Sequence, residues 1–263
     1  MRLKNKICLI TGASGGIGKA IAERFYTEGA ITILTDIRDE EGVAHANCLG
    51  VHADYLHLDV KNEQEWTNIT DQVKTKYGRL DVLVNNAGIT GFLETKGPFD
   101  AEHCDLESWE EVHRVNLNGT MLGCKYAINL MKGNGGSIIN ISSRSGLVGV
   151  PAAVAYASSK AAVRNHTKSV ALYCAEKDFK IRCNGIFPAA IMTPMWDIML
   201  GNGEDRAKNI KAIEDGIPLG HFGDPSDVAS AAVYLACDES KYITGSEIII
   251  DGGILAGSTT KTQ

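Results

Sequence analysis

The strongest constraint on the fold is the alternation of short apolar runs with longer segments of helical periodicity. Helical periodicity is found in residues 17–28, 63–77, 106–132, 153–177 and 225–237. Strand-like runs occupy residues 7–11, 31–36, 55–60, 82–85, 137–142, 181–187 and 247–251. Strands that alternate with helices need crossover connections. We therefore predict one α/β domain over residues 1–263, with a doubly wound parallel sheet of about seven strands covered by helices on both faces.

Composition narrows the class of protein further. With 44% hydrophobic and 22% charged residues, the 263-residue chain is typical of globular proteins. No apolar run approaches the roughly 20 residues that a membrane-spanning helix needs. The net charge of −6 gives no electrostatic reason to expect nucleic acid or an anionic membrane as a partner. The apolar run at residues 7–10 is too short for a secretory signal core, so we expect a cytoplasmic protein.

Cysteine and histidine spacing argues against disulfides and metal sites. The seven cysteines are scattered, odd in number and never form a C-x-x-C pair, which is typical of reduced thiols. The seven histidines are equally dispersed. No cluster has the spacing of metal ligands, and we predict no metal. We expect residues 258–263 to form a short polar tail.

Two long segments interrupt the alternation and follow predicted strands. Residues 89–105 form a polar segment after the fourth strand, and residues 189–216 follow the sixth strand. Ligands in open α/β sheets bind beyond the carboxyl ends of the strands, where both segments should lie. We predict that the second segment is a substrate lid, because it carries an apolar cluster that includes Met192, Met195, Trp196 and Met199.

A glycine-rich turn joins the first strand to the first helix. Missing side chains let such a backbone turn tightly and approach a pyrophosphate at the positive end of the helix. Asp36 ends the second strand, where a carboxylate can accept hydrogen bonds from ribose hydroxyls and repel a 2′-phosphate. We therefore predict a Rossmann-like site that prefers NAD(H), although Arg38 could pair with such a phosphate. The turn residues expected to bind the cofactor are Gly12, Ser14, Gly15, Gly16, Ile17 and Gly18.

A tyrosine and a lysine four residues apart predict a proton-transfer site. Tyr156 and Lys160 share one face of a predicted helix, and an ammonium near a phenol lowers its pKa. Tyr173 and Lys177 have the same spacing, so spacing alone does not select a pair. Ser142 and Ser143 end a strand, and Ser143 stands 13 residues before Tyr156, whereas Lys160 stands 13 residues before Tyr173. We therefore expect Tyr156 to be functional and Tyr173 to pack.

These motifs together resemble the short-chain dehydrogenase/reductase family, from about Lys4 to Gly253. Several spaced motifs in the right order are far more specific than any one of them. Besides the glycine turn and the tyrosine–lysine pair, the matching pieces are Asp59-Val60, Asn85-Asn-Ala-Gly88, Asn116, Ser142-Ser143, Asn184, Pro188 with Thr193, Gly245-Ser, and Asp251-Gly-Gly253.

The resemblance implies roles for four catalytic residues. Ser143 would hydrogen-bond the substrate oxygen, and Tyr156 would donate or accept the proton. Lys160 would lower the pKa of the tyrosine and hold the nicotinamide ribose. Asn116 would anchor a water that links Lys160 to solvent.

The resemblance also implies further cofactor contacts. Asp59 and Val60 would bind the adenine, and Asn86, Ala87 and Gly88 would line the adenosine side. Pro188, Ile191 and Thr193 would lie beside the nicotinamide. One departure is that Ala189 follows Pro188 where the family usually has glycine, and a methyl group at this position would narrow the floor of the substrate site.

The expected reaction is hydride transfer between NAD(H) and a hydrophobic secondary alcohol or ketone. The resemblance includes 3β/17β-hydroxysteroid dehydrogenases and secondary-alcohol dehydrogenases, and it implies a homotetramer. We expect Ser143, Met192, Met195, Trp196 and Met199 to contact the substrate, with core or subunit-interface packing as the alternative for the apolar cluster. Two other functions stay open, which are a 3-oxoacyl-carrier-protein reductase and a non-catalytic NAD-binding sensor.

Overall fold

The fold confirms the predicted α/β class. A computed structural model describes residues 1–257, so the predicted polar tail lies outside the described residues. The strands are β1 (Ile7–Thr11), β2 (Ile31–Asp36), β3 (Ala53–His57), β4 (Val82–Asn85), β5 (Gly136–Ile141), β6 (Ile181–Pro188) and β7 (Glu247–Ile250). The helices are α1 (Gly16–Thr27), α2 (Asp39–Leu49), α3 (Glu63–Tyr77), α4 (Leu106–His113), α5 (Gly119–Met131), α6 (Val154–Glu176), α7 (Asp197–Leu200), α8 (Glu204–Glu214) and α9 (Pro225–Ala236).

The strands form one parallel sheet whose order places the binding crevice. Within residues 1–257 the order is β3-β2-β1-β4-β5-β6-β7, and each neighbouring pair is parallel. The chain winds in one direction from β1 to β3 and in the other from β4 to β7. The direction therefore reverses between β1 and β4, and open sheets bind ligands at such a switch point.

Each face of the sheet is covered by a separate apolar core. Successive side chains of a strand point to opposite faces, and β1 shows this directly. Cys8 and Ile10 pack with α1 and α9, whereas Ile7 and Leu9 pack with α3, α5 and α6. Burial on both faces explains why the strands have nearly continuous apolar sequences.

Two predicted boundaries were wrong. The third strand spans Ala53–His57 instead of residues 55–60, because Leu58 and Val60 are buried in a loop beyond the last paired residue. The long helix predicted for residues 106–132 is divided by a π-helical turn at Arg114–Asn118. The sequence analysis also missed α2, whose apolar face is narrow.

The segment at residues 189–216 is more ordered than a simple loop. It contains a 3₁₀ turn at Pro194–Trp196 followed by α7 and α8. Leu200 is fully buried in a small third core with Ile217 and Phe222. Part of the apolar cluster predicted to be a lid therefore packs in a core and holds the segment in place. Core packing was the alternative interpretation of this cluster in the sequence analysis.

Candidate active site

A cavity of about 690 Å³ lies at the carboxyl ends of the central strands. This volume falls within the range of small-molecule sites, roughly 300–1,000 Å³. Most residues that the sequence predicts to bind cofactor or substrate line it: Gly12, Gly15, Gly16, Ile17, Asp36, Asp59, Val60, Asn86, Ala87, Gly88, Ser143, Tyr156, Lys160, Pro188, Ile191, Thr193, Met195 and Trp196.

The glycine turn has the backbone geometry that a phosphate cradle needs. Gly12 and Gly16 have φ values of +64° and +51°, which favour glycine. A Cβ atom at Gly18 would lie 2.1 Å from the Gly12 carbonyl oxygen, so Gly18 permits tight packing of the turn and does not line the cavity. Gly15 is the N-cap of α1 and provides no capping side chain. The open first turn of α1 therefore fits a dinucleotide pyrophosphate.

Asn86 ties the glycine turn to the end of β4. Its side-chain amide donates to the carbonyl oxygens of Thr11 at 2.9 Å and Gly12 at 3.1 Å. The backbone N–H groups of Asn86 and Ala87 both donate to Thr11 Oγ1. These bonds fix both sides of the switch point relative to each other.

Asp36 is buried at the end of β2 and is held by backbone amides. Its Oδ2 accepts from the N–H of Ser14 at 3.0 Å, and its Oδ1 accepts from Ile37 at 2.9 Å and Arg38 at 3.1 Å. Ser14 is thus a support for the carboxylate and does not line the cavity. The guanidinium of Arg38 lies 3.6 Å from Asp36 and also faces the cavity. A carboxylate and a cation therefore both stand where an adenosine ribose would bind.

Asp59 and Val60, which the resemblance assigns to the adenine, both line the cavity. The Asp59 backbone N–H donates to Glu65 Oε2 at 2.6 Å, and the Val60 carbonyl accepts from Trp66 Nε1 at 2.9 Å. A Cβ atom at Gly119 would lie 2.7 Å from Val60, so close packing with α5 fixes this wall.

The predicted Ser143, Tyr156 and Lys160 converge in the cavity. Burial raises the pKa of the Tyr156 phenol, and a hydrogen bond with Ser143 acts in the opposite direction. Burial lowers the pKa of Lys160 to about 8. Its ammonium lies 5.8 Å from the centroid of the Tyr156 ring and donates to the Ile141 carbonyl at 3.0 Å. The hydrogen bond with Ser143 thus favours the phenolate in this geometry, and the effect of Lys160 on that pKa stays a prediction.

Asn116 lies beside Lys160 but uses its side chain differently from the expectation. Its Oδ1 accepts from the Ile89 N–H at 2.8 Å, and its Nδ2 donates to the Ile89 carbonyl at 2.9 Å and to Ser159 at 3.0 Å. A Cβ atom at Gly88 would lie 3.1 Å from Asn116 Oδ1 and 3.2 Å from Lys160 Nζ. Asn116 therefore fixes the start of the segment at residues 89–105, and a water relay through it stays a prediction.

Tyr173 and Lys177 lie outside the cavity lining. Tyr173 is half-exposed and packs edge-to-face on Phe179, with ring centroids 6.1 Å apart. Lys177 is the C-cap of α6. The structure thus separates the two pairs as expected, because Tyr156 and Lys160 share the cavity with Ser143.

The segment after β6 forms the opposite wall. A Cβ atom at Gly16 would lie 3.5 Å from Thr193, so this segment reaches the glycine turn. Ala189 lines the cavity, and its N–H donates to the Ile250 carbonyl at 2.9 Å. Of the predicted substrate contacts, Met195 and Trp196 line the cavity. Met192 lines a neighbouring surface groove, and Met199 lies outside both linings.

Several residues of the cavity lining were missed by the sequence analysis. Most of them lie in loops that follow strands of the sheet, while Glu111 and Val115 lie on α4 and the turn after it. The extra length of the segment at residues 89–105 was the available signal for part of this set. The missed residues are Ile37, Leu58, Lys61, Ile89, Thr90, Leu93, Glu94, Glu111, Val115, Ile141 and Pro194.

Two negative findings apply to the described part of the chain. No group of three or more His, Cys, Asp or Glu side chains within residues 1–257 could hold a metal ion. No helix within the same residues is long and apolar enough to cross a membrane.

Comparisons with known proteins agree with this geometry. A family model described as enoyl-(acyl carrier protein) reductase matches residues 12–255. The chain is 39% identical to the NADP-dependent (R)-specific alcohol dehydrogenase of Lentilactobacillus kefiri, over 97% of this chain and 98% of the relative. It is 40% identical to the 3-alpha-(or 20-beta)-hydroxysteroid dehydrogenase of Mycobacterium tuberculosis strain H37Rv, over 97% of this chain and 92% of the relative.

A solved structure extends the agreement to the fold. The ligand-free aldohexose dehydrogenase of Thermoplasma acidophilum superposes with a TM-score of 0.87 at 34% identity, covering 99% of this chain and 98% of that chain. The relatives, the fold and the converging serine, tyrosine and lysine lead to one conclusion. The chain is an oxidoreductase of the short-chain dehydrogenase/reductase family and uses a nicotinamide cofactor.

Proposed function

We propose that this protein transfers a hydride between NAD(H) and a hydrophobic secondary alcohol or ketone. The observation that carries the proposal is the convergence of Ser143, Tyr156 and Lys160 in the cavity that also contains the glycine turn. When bound, the nicotinamide supplies the hydride chemistry, while the protein supplies orientation and proton transfer.

The chain's own residues divide the proton transfer between them. Ser143 holds the substrate oxygen, and Tyr156 donates its phenolic proton during ketone reduction or accepts one during alcohol oxidation. Lys160 keeps a positive charge beside the nicotinamide ribose and the tyrosine. Ile191 and Thr193 lie on the wall where the carboxamide would bind.

Asp36 supports a preference for NAD(H) over NADP(H). Its carboxylate stands at the ribose end of the cavity and would repel a 2′-phosphate. Arg38 weakens this repulsion because its guanidinium lies 3.6 Å from the carboxylate. The NADP dependence of the Lentilactobacillus kefiri relative makes the cofactor the first property to measure.

Apolar side chains in the second wall support a hydrophobic substrate. Met195 and Trp196 line the cavity, and the relatives from Lentilactobacillus kefiri and Mycobacterium tuberculosis are named for alcohols and hydroxysteroids. The name of the Thermoplasma acidophilum protein indicates a sugar substrate instead. Methionine and tryptophan offer few hydrogen bonds to a polyol, so an apolar body is the better match.

Two alternatives receive less support. The first alternative is a 3-oxoacyl-carrier-protein reductase, but such reductases usually prefer NADPH, against which Asp36 argues. A non-catalytic NAD-binding sensor would not need Ser143, Tyr156 and Lys160 together. A homotetramer and a cytoplasmic location remain part of the proposal because the family resemblance and the composition favour them.

The test combines cofactor binding with a substrate panel. Fluorescence titration should show tighter binding of NADH than of NADPH. Turnover is then measured with cyclic ketones, steroids, an aldohexose and an acetoacetyl thioester. Preferred turnover of cyclic ketones or steroids with NADH supports the proposal. Preferred turnover of the thioester with NADPH, or no turnover of any compound, contradicts it.

A further inference from the structure

Two apolar side chains from different segments face the same cavity without joining a core. Leu93, in the segment after β4, is 67% exposed, and Met195, in the segment after β6, is 40% exposed. Both line the cavity that contains Tyr156. Among the described residues, neither belongs to any of the three apolar clusters. Exposing large apolar groups at a cavity costs free energy unless a ligand covers them.

Several polar groups on either side of Leu93 in its own segment already have partners. Asn116 binds both backbone polar groups of Ile89. Thr90 Oγ1 accepts from the Phe92 N–H at 3.3 Å, and Glu94 Oε2 accepts from the Gly91 N–H at 3.0 Å. Within residues 89–105, Leu93 is the exposed large apolar side chain, and it lines the cavity.

The segment is fixed at both ends, so the position of Leu93 is defined. Phe92 and Phe99 pack edge-to-face with ring centroids 5.0 Å apart. The Thr95 N–H and hydroxyl both donate to the Gly91 carbonyl, at 3.0 and 2.9 Å. The Phe99 carbonyl accepts from the N–H of Val154 at 3.1 Å. This last bond joins the segment to the first turn of the helix that carries Tyr156.

We propose that Leu93 is a specificity-determining residue that forms, with Met195, an apolar clamp on the part of the substrate remote from the reacting carbon. The proposal rests on the proposed function and deepens it. The clamp selects ketones and alcohols with a bulky apolar body, such as substituted cyclic compounds, over small ones that fill the space at Ser143 and Tyr156 alone.

The test compares a bulky and a small ketone in matched variants. Leu93→Ala should lower kcat/KM for 4-tert-butylcyclohexanone by about tenfold, because truncation removes apolar contact with the remote group. It should leave kcat/KM for acetone and the Kd for NADH unchanged. Leu106→Ala is the control, since Leu106 is 69% exposed and lies outside the cavity lining. This control should change kcat/KM for neither ketone.

A double-mutant cycle tests the clamp itself. Met195→Ala should give the same selective loss, and the combined variant should lose less than the product of the two single losses, because both residues contact one apolar body. Equal losses on both ketones, no loss in Leu93→Ala, or independent effects in the cycle would overturn the proposal. A parent protein that turns over no compound of the substrate panel would instead overturn the proposed function, and the clamp with it.

Discussion

The buried hydroxyl of Ser142 donates a hydrogen bond to the main-chain carbonyl of Lys160 at 2.8 Å. The ammonium of the same lysine donates to the carbonyl of Ile141. The end of β5 thus holds Lys160 at both its backbone and its side chain. Ser143, the next residue, faces Tyr156. The end of one strand therefore sets the relative positions of the three side chains to which we assign the proton transfer.

Ser142→Ala tests this positioning role. We expect a roughly tenfold fall in kcat with an unchanged KM for NADH, and a loss of about 1 kcal/mol in the free energy of unfolding. Steady-state kinetics and urea denaturation measure the two effects. An equal loss of stability with unchanged kcat would show that the hydroxyl supports the fold alone.

Tyr156→Phe removes the proton donor and keeps the ring. Turnover should fall by about 10² to 10⁴-fold, which is typical for the loss of a general acid, while NADH affinity stays the same. The matched control is Tyr173→Phe, which alters the corresponding tyrosine of the other tyrosine–lysine pair and should be mild. Near-normal turnover in Tyr156→Phe would remove this residue from the mechanism.

Asp36→Asn should shift the cofactor preference towards NADPH. The substitution removes the negative charge that repels a 2′-phosphate and leaves Arg38 free to pair with it. We expect the ratio of kcat/KM for NADPH to that for NADH to rise about tenfold or more. Arg38→Ala in the same background should reverse the gain. An unchanged ratio in Asp36→Asn would show that cofactor choice is made elsewhere.

Lys160 predicts a pH dependence of cofactor binding. Its pKa is lowered to about 8, so the ammonium becomes neutral as the pH rises through that value. NADH affinity should then fall between about pH 7 and 9, because the ribose loses a charged donor. Fluorescence titrations across this range measure the effect, and Lys160→Met should give a flat profile.

The same pKa shift has a consequence for stability. A cation with a folded-state pKa below its unfolded value is penalised in the folded protein while it is charged. Between pH 8 and about 10.5, Lys160 is mostly protonated in the unfolded chain and mostly neutral in the folded protein. The contribution of Lys160 to the free energy of unfolding therefore increases with pH in this window. Lys160→Met should abolish that increase in urea denaturation curves.

Local patterns predicted the parts of the site that depend on neighbouring residues in the chain. The spacing of Tyr156 and Lys160 is a property of one helix, and the glycine turn is a property of one strand-to-helix connection. Ser143 followed from its place at a strand end. These features need no knowledge of distant contacts, and all of them lie together in the cavity.

Distant contacts explain what the sequence analysis missed. The partners of Asn116 are Ile89 and Ser159, 27 and 43 residues away, and no local pattern identifies them. Leu93 lies in a segment without periodicity. The predicted third strand was too long because Leu58 and Val60 are apolar. They are buried against α3 in a loop, and in the sequence such residues look the same as residues of a buried strand.

The bond between the Phe99 carbonyl and the Val154 N–H limits how this protein can be re-engineered or can diverge. Deleting or grafting residues 89–99 would remove the wall that carries Leu93 and also leave an unsatisfied donor at the beginning of α6. The proposed clamp residue and the helix that carries Tyr156 are therefore structurally linked through this segment. Substitution of single side chains that line the cavity is the way to change this wall without disturbing the helix that carries Tyr156.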